Sequence, residues 1–161
     1  MLGRATVEEI WGSVAARLGL NLEDRKQLTS DFFAGDGFDS PMLDFIHGLR
    51  PAAKTALISN AWPGARVFLE ASLPPGVFDL MVISAEVGVA KPDPAIYRLA
   101  LERLGVPAEA AVFVDDMPRN LEAAAAVGMR PVLFNGTIRT IEAVRGMIAV
   151  GPGRMSTAGE G

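Results

Sequence analysis

Four short apolar runs, each parted from the next by a segment of helical character, restrict the fold of this chain more than any other feature. They are Thr55–Ser59, Leu80–Ser84, Ala111–Val114 and Pro131–Phe134, with helices predicted near Gly64–Ser72, Pro94–Leu104 and Leu121–Val127. Runs that are apolar throughout, rather than alternating, suit strands buried on both faces. Helices between successive strands supply the crossovers that parallel pairing requires. The expectation is therefore an α/β protein with a parallel sheet covered on both faces. Gly105 and Gly128 fall where helix C-caps belong.

Ahead of Pro51 the pattern is helical. Thr6-Val7-Glu8-Glu9 forms a capping box, and Ile10, Trp11, Val14, Ala15 and Leu18 mark one apolar face before Gly19. A second helix is predicted from about Leu22 to Phe33. A third starts at Ser40-Pro41, carries Leu43, Ile46 and Leu49, and is broken at Arg50-Pro51. Beyond Val150 the chain has no apolar period and is expected to be disordered.

The chemistry-bearing residues fall at the ends of the apolar runs. Ala111-Val112-Phe113-Val114 stops at two adjacent carboxylates, Asp115 and Asp116. Mg²⁺ takes oxygen ligands and keeps several waters, so one or two carboxylates suffice when a phosphate completes its shell. An acid-rich turn capping the next helix is the competing explanation. Two upstream segments shift the balance. Thr55-Ala56-Leu57-Ile58 ends in Ser59-Asn60, and Lys91-Pro92-Asp93-Pro94 holds a lysine in a stiff turn in which Asp93 caps a helix starting at Pro94. A strand-end hydroxyl, a fixed ammonium and a strand-end acid pair suit phosphate and magnesium. Ligands of such sheets also bind beyond the carboxyl ends of the strands.

In Leu57-Ile58-Ser59-Asn60, Lys91-Pro92-Asp93-Pro94-Ala95-Ile96-Tyr97 and Phe113-Val114-Asp115-Asp116 with Asn120, the chain resembles the haloacid dehalogenase-like hydrolase superfamily, in its subgroup with a small helical cap. The three segments look like that family's second, third and fourth motifs, and the similarity runs from about Gly3 to about Phe134. The resemblance implies a Rossmann-like α/β core with a partial helical cap: cap over 1–50, core over 51–150, and tail over 151–161. It implies that Ser59 and Lys91 act catalytically, that Ser59, Asn60 and Lys91 bind substrate, and that Asp115 and Asp116 hold Mg²⁺. Asn120 is either the N-cap of the Leu121 helix or a support for the acid pair.

The family's first motif, a hydrophobic strand ending in Asp-x-Asp whose first acid is the nucleophile, does not occur in the chain. The nearest lookalike, Asp36-Gly37-Phe38-Asp39-Ser40, has its acids three apart and reads as a helix start at Ser40-Pro41. The resemblance places the missing strand between those ending at Ser59 and Asp115. The expectation is a truncated, inactive chain whose unpaired strand edges promote self-association.

Two functions compete. One is a Mg²⁺-dependent phosphatase of small phosphorylated metabolites, favoured over dehalogenation because halide-removing relatives do not need the acid pair. The other is a non-catalytic remnant that binds phosphate and Mg²⁺ or serves as an interaction module. The net charge of −4 argues against a broad nucleic-acid surface, and no window approaches the apolar length of a membrane span. No cysteine is present, which is compatible with the expected cytoplasmic location. His47 has no partner at metal spacing and reads as structural. Trp11, Phe32, Phe33 and Phe38 read as packing residues, and Trp62 lies close enough to Ser59-Asn60 to touch a ligand.

Overall fold

Helix α1 (Ser40–Gly48) begins at a capping acid followed closely by a proline. Asp39 caps it by accepting the Met42 amide at 3.0 Å, and Pro41 lies in the first turn, where a missing N–H costs nothing. Asp39 is thus a helix cap, in keeping with the helix start expected at Ser40-Pro41. A computed structural model describes residues 39–150. The two predicted helices before Gly35 and the tail beyond Val150 lie outside the described residues.

The chain divides into two compact units, Met1–Ala90 and Lys91–Gly161. In the first, β1 (Ala56–Ser59) and β2 (Leu80–Ile83) pair in parallel, from Ala56 opposite Leu80 to Ser59 opposite Ile83. The crossover is carried by α2 (Ala65–Ser72), entered through Gly64 at φ 88°. Val82, Ile83 and Ala65 are buried to within 1% of complete exclusion from solvent, each large side chain contributing about 1.5–3 kcal/mol. Ser84 does not continue β2 as the sequence pattern predicts. It opens a short helix, α3 (Ser84–Val87), closed by Gly88 at φ 75°.

The entrance to this sheet is tied by polar groups. Asp79 accepts the Thr55 amide at 2.7 Å, the Thr55 hydroxyl at 3.3 Å and Arg50 Nη2 at 2.6 Å. The Thr55 hydroxyl also donates to the Val77 carbonyl at 2.7 Å, and Arg50 Nη1 donates to the Gly76 carbonyl. The Thr55 backbone bond, assisted by Arg50, holds the Asp79 carboxyl below its ordinary range against the cost of desolvation.

The second unit contains α4 (Pro94–Leu104), a 3₁₀ turn (Ala108–Ala110), β3 (Val112–Asp115), α5 (Pro118–Ala126), β4 (Arg130–Leu133) and α6 (Thr137–Val150). Asp93 caps α4 through the Ala95 amide at 2.9 Å, and Gly105 ends it in the left-handed region at φ 65°, as the sequence implied. Strands β3 and β4 pair in parallel, Val112 opposite Arg130 through Asp115 opposite Leu133.

Strand β4 starts one residue before the predicted Pro131. The Arg130 amide donates to the Ala111 carbonyl and the Phe134 amide to that of Asp115, both at 2.9 Å. Alternate residues therefore face β3, and the donor that Pro131 lacks falls on the outer edge, where its loss breaks no ladder bond. The core of this unit is Ile96, Tyr97, Ala100, Phe113, Ala124 and Val132. Among the described residues β1 has no strand neighbour other than β2, nor β3 any other than β4. The architecture is α/β with parallel strands joined by helices.

Candidate functional site

The end of β3 gathers the groups that the sequence singled out in this unit. Lys91 Nζ lies 2.7 Å from Asp115 Oδ2, and the two side chains are only 15% and 4% exposed. The other carboxylate oxygen, Oδ1, accepts the Met117 amide at 2.9 Å and Asn120 Nδ2 at 2.9 Å. Both donors belong to the turn that opens α5, because Pro118 starts that helix one turn earlier than Leu121. Asn120 is therefore not the N-cap, a position held by Met117. Its side chain turns inward and supports the acid, which settles the two readings of that residue.

Aromatic packing fixes the other side of the pair. The Lys91 ammonium stands 5.7 Å from the centroid of the Phe113 ring. Phe113 meets Tyr97 edge to face at 5.2 Å and 84°, and the buried Tyr97 hydroxyl donates to the Asn120 carbonyl at 3.0 Å. The sequence places Tyr97 in the Lys91-Pro92-Asp93-Pro94-Ala95-Ile96-Tyr97 segment without indicating what its hydroxyl does. Nothing in a linear pattern indicates that its hydroxyl reaches a carbonyl 23 residues away.

Burial disfavours a charged Asp115. Hydrogen bonds from Lys91, the Met117 amide and Asn120, with the attraction of the Lys91 ammonium, outweigh it and hold the carboxyl below its ordinary 3.8. Tyr97 is pushed up to about 12, first by burial and then by the negative charge of Asp115. The acid is ionised and the phenol neutral at any physiological pH.

Asp116 lies in the bend after β3 and is exposed, so the chain turns between the two acids and they do not share one environment. Ser59 ends β1 half-buried, and Asn60 follows it exposed. They belong to the other unit. The chain just beyond them is pinned by Ser84, whose hydroxyl accepts the Ala61 amide and donates to the Ala61 carbonyl, both at 3.1 Å. Trp62 packs on Phe68 at 6.3 Å between ring centroids. His47 is exposed on α1. Trp11, Phe32, Phe33 and Phe38 lie outside the described residues.

The donor set suits a hard cation. Asp115 and Asp116 offer oxygens only, and Asn120, whose Nδ2 holds Asp115, has its buried Oδ1 without a hydrogen-bond partner, an acceptor left for a ligand or its water. Among the described residues no three acidic, histidine or cysteine side chains cluster. A metal here would complete its shell with water and substrate oxygens, which is the habit of Mg²⁺ rather than of Zn²⁺ or Ca²⁺.

The family model for haloacid dehalogenase-like hydrolases matches residues 10–128, and the chain belongs to that family. It is 35% identical over 117 residues to bifunctional epoxide hydrolase 2 of Sus scrofa, covering 66% of this chain and 21% of that protein. It is 28% identical over 142 residues to a phosphatase of Mycobacterium tuberculosis, covering 86% of this chain and 65% of that protein. The fold matches an enzyme of the same family from Bacteroides thetaiotaomicron, crystallised as an Asp-to-Ala variant with magnesium and inorganic phosphate. The TM-score is 0.67 at 22% identity, over 81% of this chain and 71% of that one. The chain spans about a quarter of the length of several curated relatives it matches. Among the described residues no helix is long and apolar enough to cross a membrane.

Proposed function

We propose that this chain carries the metal- and charge-handling part of a Mg²⁺-dependent phosphohydrolase of small phosphorylated metabolites. The observation that carries the reading is the shielded Lys91–Asp115 pair at 2.7 Å, continued by Asp116 at the carboxyl end of a parallel strand. Support comes from the phosphatase relative in Mycobacterium tuberculosis and from the magnesium and phosphate bound by the Bacteroides enzyme of the same fold. The acid pair favours phosphate chemistry over dehalogenation. A cytoplasmic setting belongs to the same proposal.

In this reading Asp115 and Asp116 hold Mg²⁺, which when bound would offset phosphoryl charge. Asn120 and the Met117 amide keep Asp115 ionised and aimed. Lys91 neutralises a phosphoryl oxygen, the Ser59 hydroxyl donates to another, and Asn60 contacts the substrate. Covalent catalysis needs an attacking aspartate, and these 161 residues contain no Asp-x-Asp. Turnover therefore belongs to a polypeptide that also carries that motif. That same absence favours a second reading, a non-catalytic module that binds phosphate and Mg²⁺ or a protein partner.

Titrating the isotope-labelled chain with Mn²⁺ tests the shared core of both readings. Selective broadening of the Asp115, Asp116 and Asn120 signals, lost in Asp116→Asn, supports it. Uniform or absent broadening overturns it. Hydrolysis of p-nitrophenyl phosphate separates the two: the enzyme reading expects negligible release from the 161 residues and Mg²⁺-dependent release once an Asp-x-Asp strand precedes them.

A further inference from the structure

We infer that Tyr97 is a positioning residue that sets the geometry of the Lys91–Asp115 pair from both sides. Its side chain is fully buried, and it touches the supports of each partner. On the carboxylate side, the hydroxyl holds the Asn120 carbonyl at 3.0 Å. That carbonyl lies in the turn that supplies both donors to Asp115 Oδ1, the Met117 amide and Asn120 Nδ2. On the ammonium side, the Tyr97 ring meets Phe113 at 5.2 Å, and the face of Phe113 carries Lys91 Nζ at 5.7 Å.

The hydroxyl and the ring do separable work. Apolar contacts resist translation, and in the first turn of α5 the Asn120 amide reaches only the cap carbonyl of Met117, so the turn can still rotate. One directed bond to the Asn120 carbonyl removes that freedom and keeps Nδ2 in line with Asp115. A phenylalanine at position 97 would keep the ring stack and lose the bond. Groups that orient a site's ligands typically alter its performance without touching the reacting atoms. The bearing of Tyr97 on catalysis rests on the phosphatase reading, whereas its hold on the pair does not.

The experiment is side-chain amide exchange at Asn120, followed by NMR in the 161-residue chain and in Tyr97→Phe. Loss of one neutral hydrogen bond corresponds to about five-fold, so the Asn120 Nδ2 protons should exchange about five-fold faster in Tyr97→Phe, with their shift moving toward that of a free amide. Ile96→Val, one residue earlier on the same helix and also fully buried, controls for general loosening. It lowers global stability to a similar degree and should leave the Asn120 signals in place. Unchanged Asn120 exchange in Tyr97→Phe, or equal change in both variants, overturns the inference. Adding Mg²⁺ to the same samples reads the other question: wild-type signals at Asp116 and Asn120 that ignore the cation count against the phosphatase reading and leave the positioning result standing.

Discussion

Lys91 and Asp115 are 24 residues apart in sequence and meet as a nearly solvent-free ion pair, joined at 2.7 Å. Two charges are costly to bury, and the cost is recovered only when the remaining lone pairs are satisfied. Here the Met117 amide and Asn120 satisfy Asp115 Oδ1, and the Phe113 face receives the ammonium. A buried pair of this kind is weak evidence for stability, however short the contact.

Removing one partner should therefore hurt more than removing both. Lys91→Met strands a buried carboxylate and is expected to destabilise by about 3 kcal/mol. Lys91→Met combined with Asp115→Asn should lose clearly less, because no charge remains uncompensated. Urea denaturation of the three proteins measures this. Equal or additive losses would show that the pair contributes like an exposed one.

The acid limb of stability follows from the depressed Asp115 pKa. A carboxyl whose folded pKa lies below its unfolded value stabilises the protein above the unfolded value, and that stabilisation disappears as the pH falls through the folded pKa. Without added metal, stability should fall as the pH drops below about 3.8, the ordinary value. The fall should be shallower in Asp115→Asn, although Asp79, also depressed by its contacts with Thr55 and Arg50, will retain part of it. Thermal melts across the acid range give both slopes. Superimposable slopes would mean that Asp115 is not held ionised by its neighbours.

In the first unit, Thr55 is the residue to test. It is buried, and its hydroxyl donates to the Val77 carbonyl and reaches Asp79. Thr55→Val keeps the shape and strands that carbonyl, so a loss of about 1–2 kcal/mol is expected. Thr55→Ser, which keeps the hydroxyl, should lose less. The midpoint of urea unfolding decides between them.

Much of this was legible in the sequence, and the reasons differ from residue to residue. Periodicity and turn chemistry act locally, so the Asp93 cap, the Gly105 stop and all four strands lay within a residue or so of their predicted positions. The exceptions arise where a distant group decides. Ser84 leaves its strand to bind the backbone of Ala61, 23 residues away; the early start of α5 is instead a local effect of Pro118 in its first turn, which brings Asn120 round to Asp115. The roles of Tyr97 and Phe113 depend on contacts between elements, which a linear pattern does not carry. Asp115 stood out only in company with the two upstream segments, since an acid pair ending a strand can equally cap the next helix, and its partner Lys91 because the prolines that follow it limit where the chain can go.

The last prediction concerns the strand edges. Among the described residues, β1 and β3 are each paired on one side only. Backbone donors and acceptors along an unpaired edge are a template for another chain. If no further segment covers those edges, the 161-residue protein should self-associate. The same chain preceded by a hydrophobic strand ending in Asp-x-Asp should behave as a compact monomer. Light scattering across a concentration series distinguishes the two. The expected result is a molar mass that rises with concentration for the first protein and stays flat for the second. A monodisperse, cooperatively melting monomer from the 161 residues alone would show that the edges are already covered. The unpaired sides of β1 and β3 would then offer no surface for another chain.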